Sequence, residues 1–325
     1  MRQGTGVLRR LARAAAAAAL TAAFVLTAAG CAAGEPKLSD LADRLQRGAA
    51  ERRAAEGTLT SDPATGKPTY NLLLIGSDRR EKTWNGNSDA VMLVTVNYGR
   101  QTITLTSFMR DLGVDIPGLG YGKLNSAYAR GGAALLENTL TADFGVQIDN
   151  YAAMDFDTTA QVIDTVGGVD VVVTTAEAEV RKSYLDEMGN LYGFNAADLY
   201  VIGRDDGAAT HLSGFQAVAY ARNRYVGNGD FERTQRQREV MLSLLEKLRT
   251  ASAEQIVSAA SEALTLSTTD LSAADAAAMA QRFIAAEDYS VVENRVPYDG
   301  YYTSDGENLI PDHDVTVSLL QQLYQ

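Results

Sequence analysis

The sequence predicts a single α/β domain built on a mixed central β-sheet that is flanked by helices. From Tyr70 onward, short apolar runs typical of buried strands alternate with segments whose apolar residues recur at helical spacing. No internal repeat and no shift in composition divides the chain after residue 68. Hydrophobic residues make up 46% of the 325 residues and charged residues 22%, a balance typical of a globular protein with a substantial core.

The predicted elements follow one another along this domain. The strands are Tyr70–Ile75, Ala90–Asn97, Thr102–Phe108, Tyr151–Phe156, Val169–Val173 and Tyr289–Val296. The helices are Ala133–Phe144, Asp157–Val166, one from the cap Ser213 to Ala221, a long one from the cap Asp230 past Leu248, an alanine-rich one near 272–286, and a final one capped by Asp314. Residues 176–198 have the least regular pattern, and we expect them to be irregular.

The first 68 residues are predicted to lie outside this domain. Residues 1–30 are typical of an export signal, because several arginines precede the apolar segment Ala14–Ala29. This segment has 16 residues, whereas a membrane-spanning helix needs roughly 20. It is followed by Cys31 in a sequence similar to a bacterial lipobox, in which the cysteine is lipidated. An ordinary signal peptide and an uncleaved anchor are the alternatives. Residues 31–68 are predicted to be a spacer, and residues 69–325 the domain.

Composition excludes several classes of function. The net charge of −12 and the pI near 4.7 argue against nucleic acid as a partner, because phosphate backbones attract basic surfaces. Cys31 is the one cysteine, which excludes an intramolecular disulfide and a thiolate zinc cluster. The two histidines form no HExxH motif, and the sequence has no GxSxG motif. Zinc-peptidase and serine-hydrolase chemistry are therefore poorly supported.

A basic segment stands out in this acidic chain. Five arginines lie between Tyr220 and Arg238, on either side of a glycine-containing loop. Arg222 and Arg224 precede the loop, and the predicted helix that follows it offers free N–H groups at its start, so the segment is typical of a phosphate-type anion site. Arg233 and Gln237 share a helix face with apolar residues, which predicts that they point inward. A solvated helix with local charge pairs is the alternative.

Acidic and basic residues also follow the ends of the first strands. Asp78 comes after the first strand and Asp89 opens the second, so we expect both at one edge of the sheet. Two carboxylates beside a phosphate pocket suit Mg²⁺, although an aspartate at a strand end is more often a turn residue. Arg110 and Asp111 follow the third strand as a candidate ion pair, and Lys123 offers a further donor.

The order of these motifs resembles that of one protein family. The motifs are GxDxR at 76–80, SD at 88–89, SxxRD at 107–111, KxNxAY at 123–128, DxxGGV at 164–169, LxGxxAxAYARxR at 212–224 and DxxRxxRQ at 230–237. In this order they are similar to those of the LytR–CpsA–Psr family. The resemblance covers residues 70 to about 250, and the remaining tail fits the length of the family domain.

The resemblance implies an extracytoplasmic, membrane-attached transferase. Such an enzyme moves a glycopolymer from an undecaprenyl-pyrophosphate carrier to peptidoglycan, leaves a phosphodiester, and holds the lipid tail in an apolar tunnel. The implied partners are this lipid-linked glycopolymer, peptidoglycan, and the membrane through a lipid anchor on Cys31. A lipid-pyrophosphate hydrolase and a non-catalytic polyprenyl-phosphate-binding or regulatory protein are the alternatives.

The resemblance also assigns roles to individual residues. Asp78 and Asp89 would bind Mg²⁺, and Asp89 or Asp111 would serve as a general base. The residues implied at the pyrophosphate are Arg80, Arg110, Lys123, Arg222, Arg224, Arg233 and Gln237. The sequence departs from the family pattern at Asn87, where arginine is usual, and at Met109, where proline is usual. We expect the first change to remove one anion contact and the second to reduce backbone rigidity.

Overall fold

The computed structural model describes residues 61–62, 65–79, 84–250, 259, 262–272, 275 and 289–324. The predicted export signal, most of the spacer, Cys31, Arg80 and most of the alanine-rich segment near 272–286 lie outside these residues. Within the described part of the chain, no helix is both long enough and apolar enough to cross a membrane.

The strands in chain order are β1 (Thr69–Ser77), β2 (Ser88–Asn97), β3 (Thr102–Phe108), β4 (Gly113–Ile116), β5 (Gly120–Lys123), β6 (Asn150–Met154), β7 (Val169–Val172), β8 (Ala209–Leu212), β9 (Thr268–Thr269), β10 (Ser290–Val296), β11 (Tyr302–Ser304) and β12 (Leu309–Pro311). The helices are α1 (Leu124–Phe144), α2 (Phe156–Thr165), α3 (Thr175–Tyr192), α4 (Gly214–Ala221), α5 (Asp230–Thr250) and α6 (His313–Tyr324), with a 3₁₀ turn at Ala196–Leu199.

A six-stranded mixed sheet forms the centre of the fold, in the order β10-β3-β2-β1-β6-β9. Strands β1, β2 and β3 pair antiparallel as a meander, while β6 pairs parallel with β1 and β10 pairs parallel with β3. Pairs of strands outside this sheet form three small antiparallel ribbons, β4–β5, β7–β8 and β11–β12. The predicted mixed α/β fold is therefore confirmed.

Helices cover both faces of the sheet because the strands are apolar on both sides. On one face, Leu73 and Leu93 pack in a core with Leu136 of α1 and Leu320 of α6. On the other face, the core around Ile103 and Leu105 receives Met241, Leu242 and Leu245 of α5. Helices α2, α3 and α4 share a further apolar cluster around Phe156 and Leu185. The α5 helix thus lies against the sheet.

Several boundaries differ from the predictions. The expectation that residues 176–198 are irregular is wrong for most of this segment, because Thr175–Tyr192 is an α-helix. Its cap, Thr174, forms a reciprocal capping box with Glu177. The last helix begins at His313, and the cap is Asp312, whose carboxylate accepts from the backbone N–H of Val315 at 3.2 Å. Strand β7 exists as predicted but pairs with β8 outside the central sheet.

Met109 has a structural role that a proline lacks. Its side chain is buried, and its backbone N–H donates to the carbonyl of Val296 at 2.9 Å. This hydrogen bond joins the end of β3 to the end of β10. Because proline has no N–H, a proline at this position could not make this hydrogen bond. That the change also reduces backbone rigidity stays a prediction.

Candidate functional site

The candidate site begins where β1 ends and β2 starts. Ser77 pairs with Ser88 in the antiparallel register, so the next residue out from β1, Asp78, lies at the same edge as Asp89. The backbone N–H of Asp78 donates to the carbonyl of Asn87 at 3.0 Å, which closes this end of the ribbon. The structure therefore brings the two carboxylates to one edge of the sheet, where they line the same cavity.

This cavity of about 390 Å³ lies between the sheet and helices α2, α3, α4 and α5. Its apolar lining includes Leu74, Ile75, Met92, Met154, Ile163, Val218, Val240 and Met241. Its polar lining includes Asp78, Asp89, Arg110, Arg222, Arg224, Arg233 and Gln237. A concave apolar site with a few convergent polar groups is the usual form of a small-molecule pocket. Four of the polar side chains are arginines, so the pocket suits an amphiphile with an anionic head.

Arg110 stands at the centre of the polar groups. Its guanidinium donates to Asp89 at 3.0 Å, to Asp111 at 3.3 Å and to Asp230 at 3.3 Å. Burial lowers the pKa of Arg110, but Asp89, Asp230 and Asp111 together raise that pKa above its ordinary value. The three carboxylates thus hold the guanidinium charged at the edge of the cavity.

Arg233 is more deeply buried than Arg110, with 3% of its surface exposed. Its Nη2 lies 2.9 Å from Asp230 and its Nη1 lies 3.7 Å from Asp89, yet Nε and Nη2 donate no hydrogen bond to any described residue. Burial lowers the pKa of Arg233, against the attraction of Asp230. The side chain points inward as expected, so a solvated helix is the wrong interpretation here. A buried guanidinium with unmet donors calls for a further anion.

Arg222 is held by aromatic rings. Its guanidinium carbon lies 4.1 Å from the ring centroid of Phe156 and 4.9 Å from that of Tyr184, and Nη2 donates to Glu187 at 2.9 Å. Its buried Nη1 has no hydrogen-bond partner among the described residues. Arg224 is exposed at the mouth of the cavity and donates to the hydroxyl of Tyr225 at 3.2 Å. Cation–π contacts fix the direction of a guanidinium without consuming its N–H donors.

The other predicted site residues lie around this cluster. Gln237 lines the cavity and donates to the carbonyl of Asp89 at 3.4 Å. Lys123 donates to Asp111 at 3.0 Å, so both residues belong to the Arg110 network, although neither lines the cavity. Arg80 is outside the described residues, so its role stays a prediction.

Sequence reasoning missed two acidic members of the site. Asp230 was expected to be a helix cap, but it is the first residue of α5, and its carboxylate contacts both Arg110 and Arg233. The available signal was its position three residues before Arg233, which places both side chains on one helix face. Glu187, Tyr184 and Phe156 were missed because only the folding of α2 and α3 against α4 brings them to the cavity.

The two remaining arginines of the basic segment are structural. Arg236 donates to Glu177 at 2.6 Å and to the carbonyls of Asn223 and Val226 at 2.9 and 3.0 Å. Arg238 donates to Glu293 at 2.9 Å and to Ser107 at 3.2 Å, on the sheet side of α5. Neither residue lines the cavity. The helix thus directs Arg233 toward the cavity, and directs Arg236 and Arg238 toward the protein framework.

The residues present fit a magnesium ion whose coordination is completed by a ligand. Among the described residues there is no group of three or more His, Cys, Asp or Glu side chains placed to hold a metal. Asp78 and Asp89 nevertheless both line the cavity, and both offer hard oxygen ligands. Mg²⁺ is commonly bound by one or two carboxylates together with substrate phosphate oxygens. This donor set therefore suits Mg²⁺ carried by a phosphorylated ligand better than a metal held by the protein alone.

Comparisons with known proteins identify the family of this chain and show which solved structures share its fold. The model of the LytR_cpsA_psr family matches residues 37–324. The chain belongs to this family. The crystal structure of Bacillus subtilis TagT superposes with a TM-score of 0.61 at 23% identity, covering 82% of this chain and 94% of that one. A structure of YwtF (TagT) with bound octaprenyl pyrophosphate lipid superposes with a TM-score of 0.57 at 24% identity, covering 79% and 90%.

Curated relatives carry two kinds of name. The chain is 33% identical over 191 residues to the polyisoprenyl-teichoic acid–peptidoglycan teichoic acid transferase TagV of Bacillus subtilis strain 168, covering 57% of this chain and 45% of that protein. It is also 33% identical over 198 residues to biofilm regulatory protein A of Streptococcus mutans, covering 55% and 44%. The chain spans about half the length of the curated relatives that it matches.

Proposed function

We propose that this protein transfers a glycopolymer, as its sugar phosphate, from an undecaprenyl-pyrophosphate carrier to peptidoglycan. The observation that carries this proposal is the set of unmet donors in the cavity. Arg222 and Arg233 both line it, and one buried guanidinium nitrogen of Arg222 and two of Arg233 have no hydrogen-bond partner among the described residues. A pyrophosphate supplies several anionic oxygens at once, which suits two or more arginines converging on one pocket.

The rest of the cavity suits the lipid part of such a donor. The strand side offers Leu74 and Ile75, and the helix side offers Val240 and Met241. Burying an isoprenoid chain here removes apolar surface from water at about 25 cal/mol per Å². An inorganic or nucleoside pyrophosphate would leave this apolar surface unused. The octaprenyl pyrophosphate held by the related TagT structure supports the same assignment.

The proposed reaction displaces one phosphate from the other. The acceptor hydroxyl oxygen forms a bond to the sugar-linked phosphorus, the bridging P–O bond breaks, and polyprenyl phosphate leaves with the electron pair. Arg110, Arg222, Arg224 and Arg233 stabilise negative charge on both phosphates. The hydroxyl proton passes to a carboxylate near Arg110, for which Asp89, Asp111 and Asp230 are the candidates. No protein nucleophile is required.

Asp78 and Asp89 would hold Mg²⁺ beside the pyrophosphate, and the ion would supply positive charge for the transfer. Asp89 accepts a hydrogen bond from Arg110 at 3.0 Å. Arg110 can therefore change partner from a carboxylate to a phosphate when the donor enters. Such an exchange would keep the Arg110 guanidinium paired with an anion, which limits the cost of burying its charge.

We place the protein at the outer face of the cell membrane, anchored through Cys31. An anchored enzyme meets a lipid-linked donor at high effective concentration. The spacer before the domain gives the catalytic unit reach toward the wall. A cysteine-to-alanine change at this position should release the protein into the medium, which cell fractionation would detect.

The experiment uses the purified full chain with Mg²⁺, a polyprenyl-pyrophosphoryl disaccharide and peptidoglycan fragments, with products analysed by mass spectrometry. We expect the sugar phosphate joined to the glycan, and we expect its loss in Arg110→Ala and Asp89→Ala. The matched control is Arg204→Ala, because Arg204 is exposed and paired with Asp206 away from the cavity. Free sugar phosphate without joined product would indicate a hydrolase. Binding of the donor without any product would indicate a regulatory protein.

A further inference from the structure

Two tyrosines stand at the mouth of the cavity beside the arginines. Tyr184 of α3 and Tyr225 of the loop before α5 both line it, with ring centroids 6.3 Å apart and planes inclined by 21°. Tyr225 is 67% exposed, a high value for an aromatic ring that already stacks on another. An exposed aromatic face at a pocket mouth is a binding surface in its own right.

The arginines fix the position of this aromatic pair. Arg224 donates to the hydroxyl of Tyr225 at 3.2 Å, and the guanidinium carbon of Arg222 lies 4.9 Å from the ring centroid of Tyr184. A group covalently attached to a phosphate bound by these arginines is therefore within reach of the rings. The carboxylate of Glu187, which pairs with Arg222 at 2.9 Å, also lines the cavity.

We infer that Tyr184, Tyr225 and Glu187 form a saccharide subsite for the first sugar attached to the pyrophosphate. This inference rests on the proposed function. The lipid occupies the buried apolar part of the cavity, so the other substituent of the pyrophosphate leaves through the mouth, where Arg224 and Tyr225 are exposed. A pyranose has an apolar C–H face that stacks on an aromatic ring, and hydroxyl groups that donate to a carboxylate.

A subsite of this kind combines two recognition chemistries. The aromatic pair selects for a ring with an apolar face, and Glu187 selects for a donor group at its edge. A sugar that carries its own carboxylate would be repelled by Glu187, whereas a neutral hexose or N-acetylhexosamine suits both elements. The chemical class assigned to the first residue of the glycopolymer is therefore a neutral pyranose.

The test compares two probes by isothermal titration calorimetry in the presence of Mg²⁺. One probe is farnesyl pyrophosphate, and the other is farnesyl pyrophosphate carrying one N-acetylglucosamine. The wild-type full chain should bind the sugar-bearing probe about tenfold more tightly, a difference equivalent to about 1.4 kcal/mol. Tyr225→Leu should abolish this preference, because leucine keeps the apolar volume but removes the ring face. Its affinity for farnesyl pyrophosphate should fall at most about threefold, since Arg224 loses one hydrogen bond.

Tyr225→Phe should keep the preference, because the ring remains. Tyr301→Leu is the surface control, since Tyr301 is 48% exposed and does not line the cavity. Equal affinity of the wild type for the two probes would overturn the subsite while leaving the pyrophosphate site intact. An equal loss of both affinities in Tyr225→Leu would mean that Tyr225 serves only to hold Arg224. If neither probe bound to the wild type, the proposed function would fall together with the subsite.

Discussion

Arg233 and Arg236 lie three residues apart on α5 and are almost equally buried, with 3% and 5% of their surface exposed. Their surroundings differ. All three guanidinium nitrogens of Arg236 donate, to the Glu177 carboxylate and to two loop carbonyls. Arg233 has carboxylates nearby, but its Nε and Nη2 donate to no described residue.

The comparison separates two uses of a buried arginine. Arg236 fastens the loop between α4 and α5, because the carbonyls that it binds belong to Asn223 and Val226. Its donors are satisfied within the protein, as a structural charge requires. Arg233 lines the cavity, and two of its guanidinium nitrogens have no partner among the described residues, so it is able to bind a ligand. The number of satisfied donors and the presence of a cavity therefore distinguish the two roles better than burial does.

The largest expected effect is on stability. Arg236→Met should lower the free energy of unfolding by about 3–5 kcal/mol, because it leaves the Glu177 carboxylate buried without its cationic partner. Arg233→Met, the matched variant on the same helix, should lose far less, since two nitrogens of Arg233 donate to no described residue and both neighbouring carboxylates keep Arg110 as a partner. Urea unfolding followed by circular dichroism measures both. Equal losses in the two variants would remove the distinction between these arginines.

The next effect is on turnover. Arg222→Ala or Arg224→Ala should each cost about 2.7–4 kcal/mol of transition-state stabilisation, by analogy with the loss of one oxyanion donor. The reason is that each removes a fixed positive charge beside the pyrophosphate. Steady-state kinetics of glycopolymer transfer gives the value, with unfolding curves to verify the fold. Turnover within twofold of the wild type in either variant would rule out its contact with the reacting phosphates.

A third arginine sharpens the comparison. Arg181 of α3 is 1% exposed and none of its guanidinium nitrogens has a hydrogen-bond partner among the described residues, yet it does not line the cavity. Burial lowers its pKa to about 10, against the attraction of Glu177. Arg181→Met should therefore raise the free energy of unfolding at pH 7 by about 1 kcal/mol or more. Thermal and urea unfolding test this, and a clear loss of stability would mean that Arg181 serves the fold.

The smallest effect concerns a carboxylate away from the arginines. Burial, with a contribution from Asp270, raises the pKa of Glu137 from 4.5 to about 6. The folded state then binds more protons than the unfolded state between pH 4.5 and 6, so stability falls as pH rises through this window. Glu137→Gln should flatten that part of the profile. An unchanged slope in urea unfolding across this range would contradict the assignment.

The sequence predicts the sheet and the edge of the site well, for a local reason. Strands β1 and β2 are consecutive and antiparallel, so Asp78 and Asp89 must lie together once the two strands pair. Arg233 was predictable as inward-facing because its helix face continues into apolar residues. Such features depend on neighbouring sequence and on regular geometry.

Other features depend on contacts that the sequence pattern does not encode. The sequence pattern does not predict helix α3, because the buried face of this helix includes Glu177 and Arg181. These two charged residues interrupt the helical spacing of apolar residues. The sequence predicts Asp230 only as a helix cap. Its contact with Arg110 joins residues 120 positions apart, which a local pattern does not show. Tyr184 and Phe156 reach Arg222 only after α2 and α3 pack against α4. The assignments of Arg80 and Cys31 fall outside the described residues and stay predictions.

The central claim is that the guanidinium N–H groups of Arg233 that donate to no described residue bind the pyrophosphate of the substrate. The most direct measurement is the affinity of the wild-type protein, Arg233→Met and the control Arg204→Met for farnesyl pyrophosphate by isothermal titration calorimetry with Mg²⁺. We predict that Arg233→Met binds at least about tenfold more weakly, equivalent to about 1.4 kcal/mol, and that Arg204→Met binds like the wild type. Equal affinity in Arg233→Met and the wild type would contradict the claim.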